Sequence, residues 1–204
     1  MTNTINNISE FWDEYYHTIY GKYINVTYEK YKFTDFDDVF NEDHVLTSNI
    51  IDENKESIKR KRYCNIGCGH GMLEWYIKDK VVPSWFVTGI DFSRYVITMN
   101  IKRYSDGGSQ TGSAVKWDLR DILNKPLKQD PTYFHEDFGV IACLKTLQYF
   151  NPLEQDKIMS NLIDHSEHLI ISVLNAFDET SYNVIWKQEL AQDYKLLLIK
   201  GKLN

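Results

Sequence analysis

The chain has few cysteines and no long hydrophobic run, and each of these shortages excludes a class of protein. Its 3 cysteines in 204 residues are too few for a disulfide framework, so we expect reduced thiols in a cytoplasmic protein. No apolar stretch approaches the roughly 20 residues of a membrane span. Cys64 and Cys68 have no second Cys/His pair at a zinc-site spacing, so no metal is predicted. The polar amino terminus lacks a targeting pattern.

The charge balance favours a small-molecule substrate. A net charge of -6 and a pI near 5.5 give no overall attraction to nucleic acid or to anionic membranes, so neither partner is indicated. One basic run, residues 59–62, directly precedes a predicted strand. Ligand sites in parallel α/β sheets lie at the carboxyl ends of the strands, so we expect this run on the opposite side from any chemistry.

Apolar runs and helical patterns alternate along most of the chain. We predict strands at 62–66, 85–91, 114–117, 138–143, 168–174 and 195–200, and helices at 71–80, 93–104, 151–166 and 182–192. Alternation of this kind predicts an α/β fold with a doubly wound, mostly parallel sheet flanked by helices. We assign residues 1–58 to a helical lid and connector and residues 59–204 to the sheet domain, in one compact unit with a shortened carboxyl-terminal end.

Aromatic residues follow a helical spacing near the amino terminus, over residues 8–24. A helix that packs this stripe on the core would account for the spacing. A lid over a bound ligand would account for it too, and in that case Trp12, Tyr16 and Tyr20 would shape the substrate pocket.

Three glycines at alternate positions, Gly67, Gly69 and Gly71, follow the first predicted strand. Glycine permits a tight turn there and lets a ligand approach the backbone closely. Asp91 ends the second predicted strand, where a carboxylate can accept hydrogen bonds from two ribose hydroxyls. A dinucleotide fingerprint would need a glycine where Met72 stands, which argues against a nicotinamide oxidoreductase.

With Gly-x-Gly-x-Gly and the later Gly-Ile-Asp-Phe-Ser run, the chain resembles class I S-adenosylmethionine-dependent methyltransferases over residues 60–175. The resemblance implies a Rossmann-like fold and S-adenosylmethionine as cofactor, with Asp118 near the adenine amino group. The residues that it places at the cofactor are Asn65, Gly67, Cys68, Gly69, Gly71, Asp91, Phe92, Asp118, Leu119 and Leu144.

Catalytic residues are harder to identify than cofactor contacts. A sulfonium methyl group is already activated, so the protein mainly has to align the acceptor, and a general base is optional. His70 in the glycine loop, together with Lys145 and Tyr149 after the fourth strand, are the candidates, but each also has a purely structural explanation. The catalytic residue therefore stays open, as does the methyl acceptor, which is either a small molecule or an exposed group of a macromolecule.

Two residues depart from the pattern of the family that the chain resembles. Asn65 stands where an acid is usual, and Gly139 stands where the fourth strand often has an acid, although the adjacent Asp137 could compensate. Both departures keep a second hypothesis open, a catalytically inactive methyltransferase fold that serves as a binding or scaffolding subunit.

Overall fold

The computed structural model describes residues 11–17, 42–105, 115–128 and 137–203. Its strands are β1 (Arg62–Ile66), β2 (Phe86–Asp91), β3 (Lys116–Leu119), β4 (Phe138–Leu144), β5 (Ser166–Leu174), β6 (Val184–Glu189) and β7 (Tyr194–Lys200). Its helices are α1 (residues 11–17), α2 (Glu42–Asn54), α3 (Met72–Tyr76), α4 (Arg94–Ser105) and α5 (Pro152–Asp164). A π-helical turn, Ile77–Val81, continues α3, and a short 3-10 turn spans Leu147–Tyr149.

All seven strands form one sheet, in the order β3-β2-β1-β4-β5-β7-β6. Strands β1 to β5 are parallel to one another, whereas β7 runs antiparallel to both β5 and β6. Because the five parallel strands point the same way, their carboxyl ends meet at one edge, which we call the carboxyl edge. The predicted Rossmann-like α/β fold is confirmed.

The central strands of the sheet are buried on both faces, as their continuous apolar sequences predicted, whereas the edge strands β3 and β6 are partly exposed. Every residue of β4 is buried. Tyr63 and Val140 belong to the core cluster that includes residues of α2 and α3, while Cys64 and Ile141 belong to the cluster on the other face, with α5. Neighbouring residues of one strand thus enter opposite clusters, as the alternation of side chains along a strand requires.

Two helices begin within one residue of their predicted starts, each after a capping side chain. The Asn151 side chain accepts a hydrogen bond from the Glu154 N–H at 3.1 Å, and Glu154 Oε2 accepts from the Asn151 N–H at 3.0 Å, so α5 starts with a capping box. Ser93 Oγ accepts from the Val96 N–H at 3.2 Å and caps α4.

The helix predicted over residues 182–192 is wrong, because this segment contains strand β6. It forms a hairpin with β7 whose turn contains Gln192 and Asp193, both with positive φ, at 60° and 59°. The Leu190 N–H donates to the Tyr194 carbonyl at 2.8 Å and closes the hairpin. The carboxyl-terminal end is therefore an antiparallel pair of strands and not the single final strand that we predicted.

Smaller differences concern boundaries. The third strand covers Lys116–Leu119, later than the predicted 114–117, and residue 114 lies outside the described ranges. Tyr20 and most of the predicted connector also lie outside them. Helix α2 packs on the sheet, where Ile51 joins the cluster that contains Val140. The domain boundary after residue 58 stays a prediction.

The basic run lies at the amino end of β1, as expected. Glu167 at the start of β5 accepts hydrogen bonds from the backbone N–H groups of Lys59 and Arg60, at 3.0 and 2.7 Å. Gly139 lies against the same segment, and Asp137 pairs with His165 at 2.9 Å at the amino end of β4. Gly139 and Asp137 therefore belong to the edge of the sheet opposite the glycine loop, and Asp137 does not replace an acid near the cofactor.

Gly139→Ala is expected to destabilise the protein by roughly 1–3 kcal/mol, the usual cost of overpacking a core. A Cβ at this position would lie 2.0 Å from the backbone carbonyl oxygen of Arg60, which cannot turn away as a side chain could. Thermal or denaturant unfolding measures the effect. Ala142→Gly changes the same strand without adding volume, so it serves as the control for a general sensitivity of β4 to substitution. An unchanged unfolding midpoint in Gly139→Ala would contradict the close packing at this position.

Candidate cofactor-binding site

The glycine loop between β1 and α3 has a backbone that only glycine adopts easily. Gly67, Gly69 and Gly71 all have positive φ, at 74°, 52° and 73°. The N–H groups of Gly67 and Cys68 donate to the Ile90 carbonyl at 2.8 and 3.0 Å. The loop is thereby fastened to the end of β2, at the carboxyl edge of the sheet.

Asp91 connects the glycine loop to α4. Its Oδ2 accepts from the Gly69 N–H at 3.0 Å, and its Oδ1 accepts from the Ser93 N–H at 2.9 Å. Burial raises the pKa of this carboxyl from 3.8 to about 6, although the backbone N–H groups of Ser93, Gly69 and Phe92 oppose the rise. A carboxylate offers about four lone-pair sites, so each oxygen can accept a further hydrogen bond from a ligand.

Two polar side chains that the sequence did not single out, one buried and one half-buried, hydrogen-bond to the backbone of the loop and its flanking strands. Asn100 of α4 is 0% exposed, and its Nδ2 donates to the Gly69 carbonyl at 2.8 Å. Thr146 follows β4, and its hydroxyl donates to the Leu144 carbonyl at 3.0 Å and approaches the Ile66 carbonyl at 3.3 Å. A Cβ on Gly67 would overlap the Thr146 side chain, at 2.1 Å from its oxygen.

Asn65, the first departure from the family pattern, pairs with an acid that the sequence analysis missed. Its Nδ2 donates to Glu74 Oε1 at 2.5 Å, and both side chains are buried. Burial raises the pKa of Glu74 from 4.5 to about 8, despite the hydrogen bonds from Asn65 and from the backbone. A carboxyl group is therefore present next to position 65, although it comes from α3 and not from β1.

The predicted adenine-side residues lie at the carboxyl ends of β2 and β3, with Phe92 directly after β2 and Asp118 and Leu119 as the last two residues of β3. Asp118 Oδ2 pairs with the Arg120 guanidinium at 2.7 Å, a partner that sequence reasoning did not supply. Phe92 is half-buried, whereas Leu119 is 38% exposed. The Trp117 ring lies against Gly71 and Gly89, where a Cβ would come within 2.4 and 2.5 Å of it, so these two glycines make room for the indole.

Helix α1 lies over the glycine loop. The Tyr16 hydroxyl is 2.8 Å from the position of a Cβ built on Gly69. Asp13 Oδ1 accepts from the Ser93 hydroxyl and, at 3.3 Å, from the Tyr95 N–H, which ties α1 to the start of α4. The structure thus places α1 next to the residues expected to hold the cofactor.

The three catalytic candidates have different surroundings. His70 Nδ1 accepts a hydrogen bond from the Met72 N–H at 3.3 Å. In a neutral ring the proton then lies on Nε2, so Nε2 has no free lone pair with which to act as a base. Tyr149 is 49% exposed, and its ring centroid lies 5.1 Å from that of Trp12. Lys145 follows β4 directly, with a positive φ of 48°. Leu144, the neighbouring cofactor candidate, is buried.

The described residues contain neither a metal-binding cluster nor a membrane-spanning helix. No group of three or more His, Cys, Asp or Glu side chains among them could hold a metal ion. No helix in the same ranges is both long enough and apolar enough to cross a membrane.

A doubly wound sheet with a glycine loop after its first strand and a carboxylate after its second defines a nucleoside-cofactor-binding α/β protein. The family comparison is more specific, because a family model described as a methyltransferase domain matches residues 64–168. The match covers more than half of the chain, so the chain belongs to this methyltransferase family. No curated protein matches the chain significantly.

Solved structures share the fold at low sequence identity. A magnesium protoporphyrin IX methyltransferase from Synechocystis PCC 6803, with bound S-adenosylmethionine, is 15% identical, with a TM-score of 0.58 over 91% of this chain and 97% of that one. The same enzyme with bound S-adenosylhomocysteine is 12% identical, with a TM-score of 0.64, over 96% and 99%. TrmK from M. capricolum, with S-adenosylhomocysteine, is 13% identical, with a TM-score of 0.59, over 80% and 69%.

Proposed function

We propose that this methyltransferase-family protein uses S-adenosylmethionine to methylate a small molecule or an exposed group of a larger one. The observation that carries the proposal is the joint geometry of the glycine loop and Asp91. The loop has three glycines in the left-handed conformation, and the carboxylate of Asp91 is fixed beside them by the Gly69 N–H at 3.0 Å. The cofactors in the related structures, which are those proteins' own ligands, support the same choice.

In this proposal each part of the carboxyl edge has a role. Gly67, Gly69 and Gly71 admit the methionine part, and Asp91 accepts from the ribose hydroxyls. When bound, S-adenosylmethionine supplies a methyl group that its sulfonium already activates. The protein then has to align an acceptor and exclude water, which suits the aromatic helix α1 over the loop.

Further residues complete the contacts. Asp118 and Leu119 would lie near the adenine, with Phe92 beside them, while Leu144 would line the reacting end. Asn65 and Cys68 would act by shaping the loop. None of these assignments needs a general base, so an acceptor that is nucleophilic without losing a proton suits the site best.

Calorimetric titration of the full chain with S-adenosylhomocysteine tests the cofactor. Saturable binding with 1:1 stoichiometry is expected, and NAD should give no heat, because Met72 replaces the third glycine of the dinucleotide pattern. Absence of binding at millimolar S-adenosylhomocysteine would contradict the proposal. Formation of S-adenosylhomocysteine from S-adenosylmethionine with a panel of acceptors then separates an enzyme from an inactive binding subunit.

A further inference from the structure

A buried polar cluster beside the loop after β4 has too few hydrogen-bond partners. Asp43, near the start of α2, is 1% exposed, and neither of its carboxylate oxygens has a partner in the described part of the chain. Thr47, one turn later, is 0% exposed, and its hydroxyl likewise has none there. Gln148 Oε1 is a fourth such atom, on a third side chain. Buried polar atoms rarely stay in this state, because ordered water, an ion or a ligand usually completes their hydrogen bonds.

The nearby Lys145 balances the charge of Asp43 without satisfying its hydrogen bonds. Lys145 Nζ lies 4.0 Å from Asp43 Oδ1, which is beyond hydrogen-bond distance. The lysine side chain is 31% exposed, so it can turn toward solvent and leave the carboxylate to another cation. Its left-handed backbone, with φ 48°, is a costly conformation of the kind that concentrates at functional sites.

The Tyr194 ring borders this cluster, and further aromatic rings continue from it toward α1. The Lys145 ammonium lies 5.1 Å from the centre of the Tyr194 ring, which shows that this ring face accepts a cation. Gln148 Nε2 approaches the Tyr194 hydroxyl at 3.3 Å, and the next residue, Tyr149, contacts Trp12. The aromatic surface therefore extends from β7 to α1, along the carboxyl edge.

We propose that Asp43, Thr47, Gln148 and Tyr194 form a subsite for an ammonium group of the methyl acceptor, an inference that rests on the proposed function. An ammonium donates three hydrogen bonds, and the cluster offers acceptor oxygens on three of these side chains with an aromatic face beside them. A protonated ammonium has no lone pair, so it anchors the acceptor while the methyl group goes to another atom. Lys145 gives way when the acceptor enters.

The test is calorimetric titration of phenethylammonium chloride into the full chain saturated with S-adenosylhomocysteine. Phenethylammonium should bind, and phenylacetate, which has a similar ring and the opposite charge, should not. Asp43→Asn should weaken phenethylammonium binding by about 10- to 100-fold, the usual worth of a hydrogen bond to a charged group. Asp52→Asn, the same change at an exposed residue of α2, is the matched control and should have no effect.

Lys145→Met is expected to change phenethylammonium affinity in the direction opposite to Asp43→Asn. Removing the competing ammonium should tighten phenethylammonium binding, and this variant keeps the test open if Asp43→Asn does not fold. Unchanged amine affinity in both variants, or preferential binding of phenylacetate, would overturn the subsite. A loss of S-adenosylhomocysteine affinity alone in Asp43→Asn would assign the carboxylate to the cofactor and overturn it too. Failure of S-adenosylhomocysteine to bind the wild-type chain would instead contradict the proposed function.

Discussion

Asp91→Asn is expected to weaken the binding of S-adenosylhomocysteine by about 100-fold, or about 2.7 kcal/mol. Both oxygens of the native carboxylate already accept a backbone N–H, from Gly69 at 3.0 Å and from Ser93 at 2.9 Å. An amide can accept only through its oxygen, so its NH₂ group would face one of these N–H groups and disturb the loop. The ribose would also lose one of its two acceptors. Isothermal titration calorimetry measures the change.

A matched control uses the same substitution where no cofactor contact is proposed. Asp178 is exposed, and its carboxylate also accepts locally, from the Thr180 N–H at 3.0 Å and the Thr180 hydroxyl at 2.7 Å. Asp178→Asn should leave S-adenosylhomocysteine affinity unchanged. If Asp91→Asn binds as tightly as the wild type while its thermal unfolding shows a folded protein, then Asp91 does not hold the ribose.

The pH dependence of binding provides a second measure of Asp91. Burial raises the pKa of its carboxyl to about 6, and the ionised form is the better hydrogen-bond acceptor. Affinity should therefore be full above this pH and fall as the pH drops through about 6. Asp91→Asn has no proton to gain at this position, so its weaker binding should lack that inflection.

The cofactor loop could be predicted from the sequence because local rules determine it. Gly67, Gly69 and Gly71 are needed for their backbone conformation alone, and the structure gives all three a positive φ. The capping box at Asn151 and Glu154 is equally local. The assignment of Asp91 to the ribose stays a prediction, but its place beside Gly69 follows from the parallel pairing of β1 with β2.

Residues that act across long sequence separations could not be predicted. Asn100 reaches the Gly69 carbonyl across 31 positions, and Thr146 reaches the Ile66 carbonyl across 80. Neither residue has a local pattern that distinguishes it from a surface polar residue. The prediction of a helix over 182–192 was wrong for a related reason, because pairing with the later strand β7 determines the structure of β6. The hairpin turn between the two strands contains no glycine, so no local pattern in the sequence indicated a turn.

Glu74 is the clearest example of a missed residue, because an acid in the first turn of a helix normally indicates favourable dipole interactions at an exposed end. In the structure it is 0% exposed and pairs with Asn65, so the acid expected on β1 is supplied by α3. The pair keeps a titratable group below the glycine loop, although burial holds that group largely protonated at neutral pH, with a pKa of about 8. Its contribution to stability therefore depends strongly on pH.

Glu74→Gln is expected to stabilise the protein relative to the wild type, increasingly so as the pH rises from about 4.5 to about 8. The folded wild type holds its proton up to about pH 8, whereas the unfolded chain releases it near 4.5, so folding has to retain a proton throughout this range. The protonated Glu74 side chain therefore contributes fully to the stability of the wild type below about pH 4.5, and this contribution is lost as the pH rises through about 8. Glutamine is neutral throughout and loses nothing.

The difference in unfolding free energy between Glu74→Gln and the wild type should grow by up to about 1.4 kcal/mol per pH unit, to a total on the order of 4 kcal/mol. Urea unfolding at intervals from pH 5 to pH 9 measures it, and contributions of all other titrating groups cancel in the difference. Glu53→Gln, at an exposed position of α2, should show no such trend. Parallel curves for Glu74→Gln and the wild type would mean that Glu74 is ionised in the folded protein, and hence that the buried Asn65–Glu74 pair carries a full negative charge beneath the glycine loop.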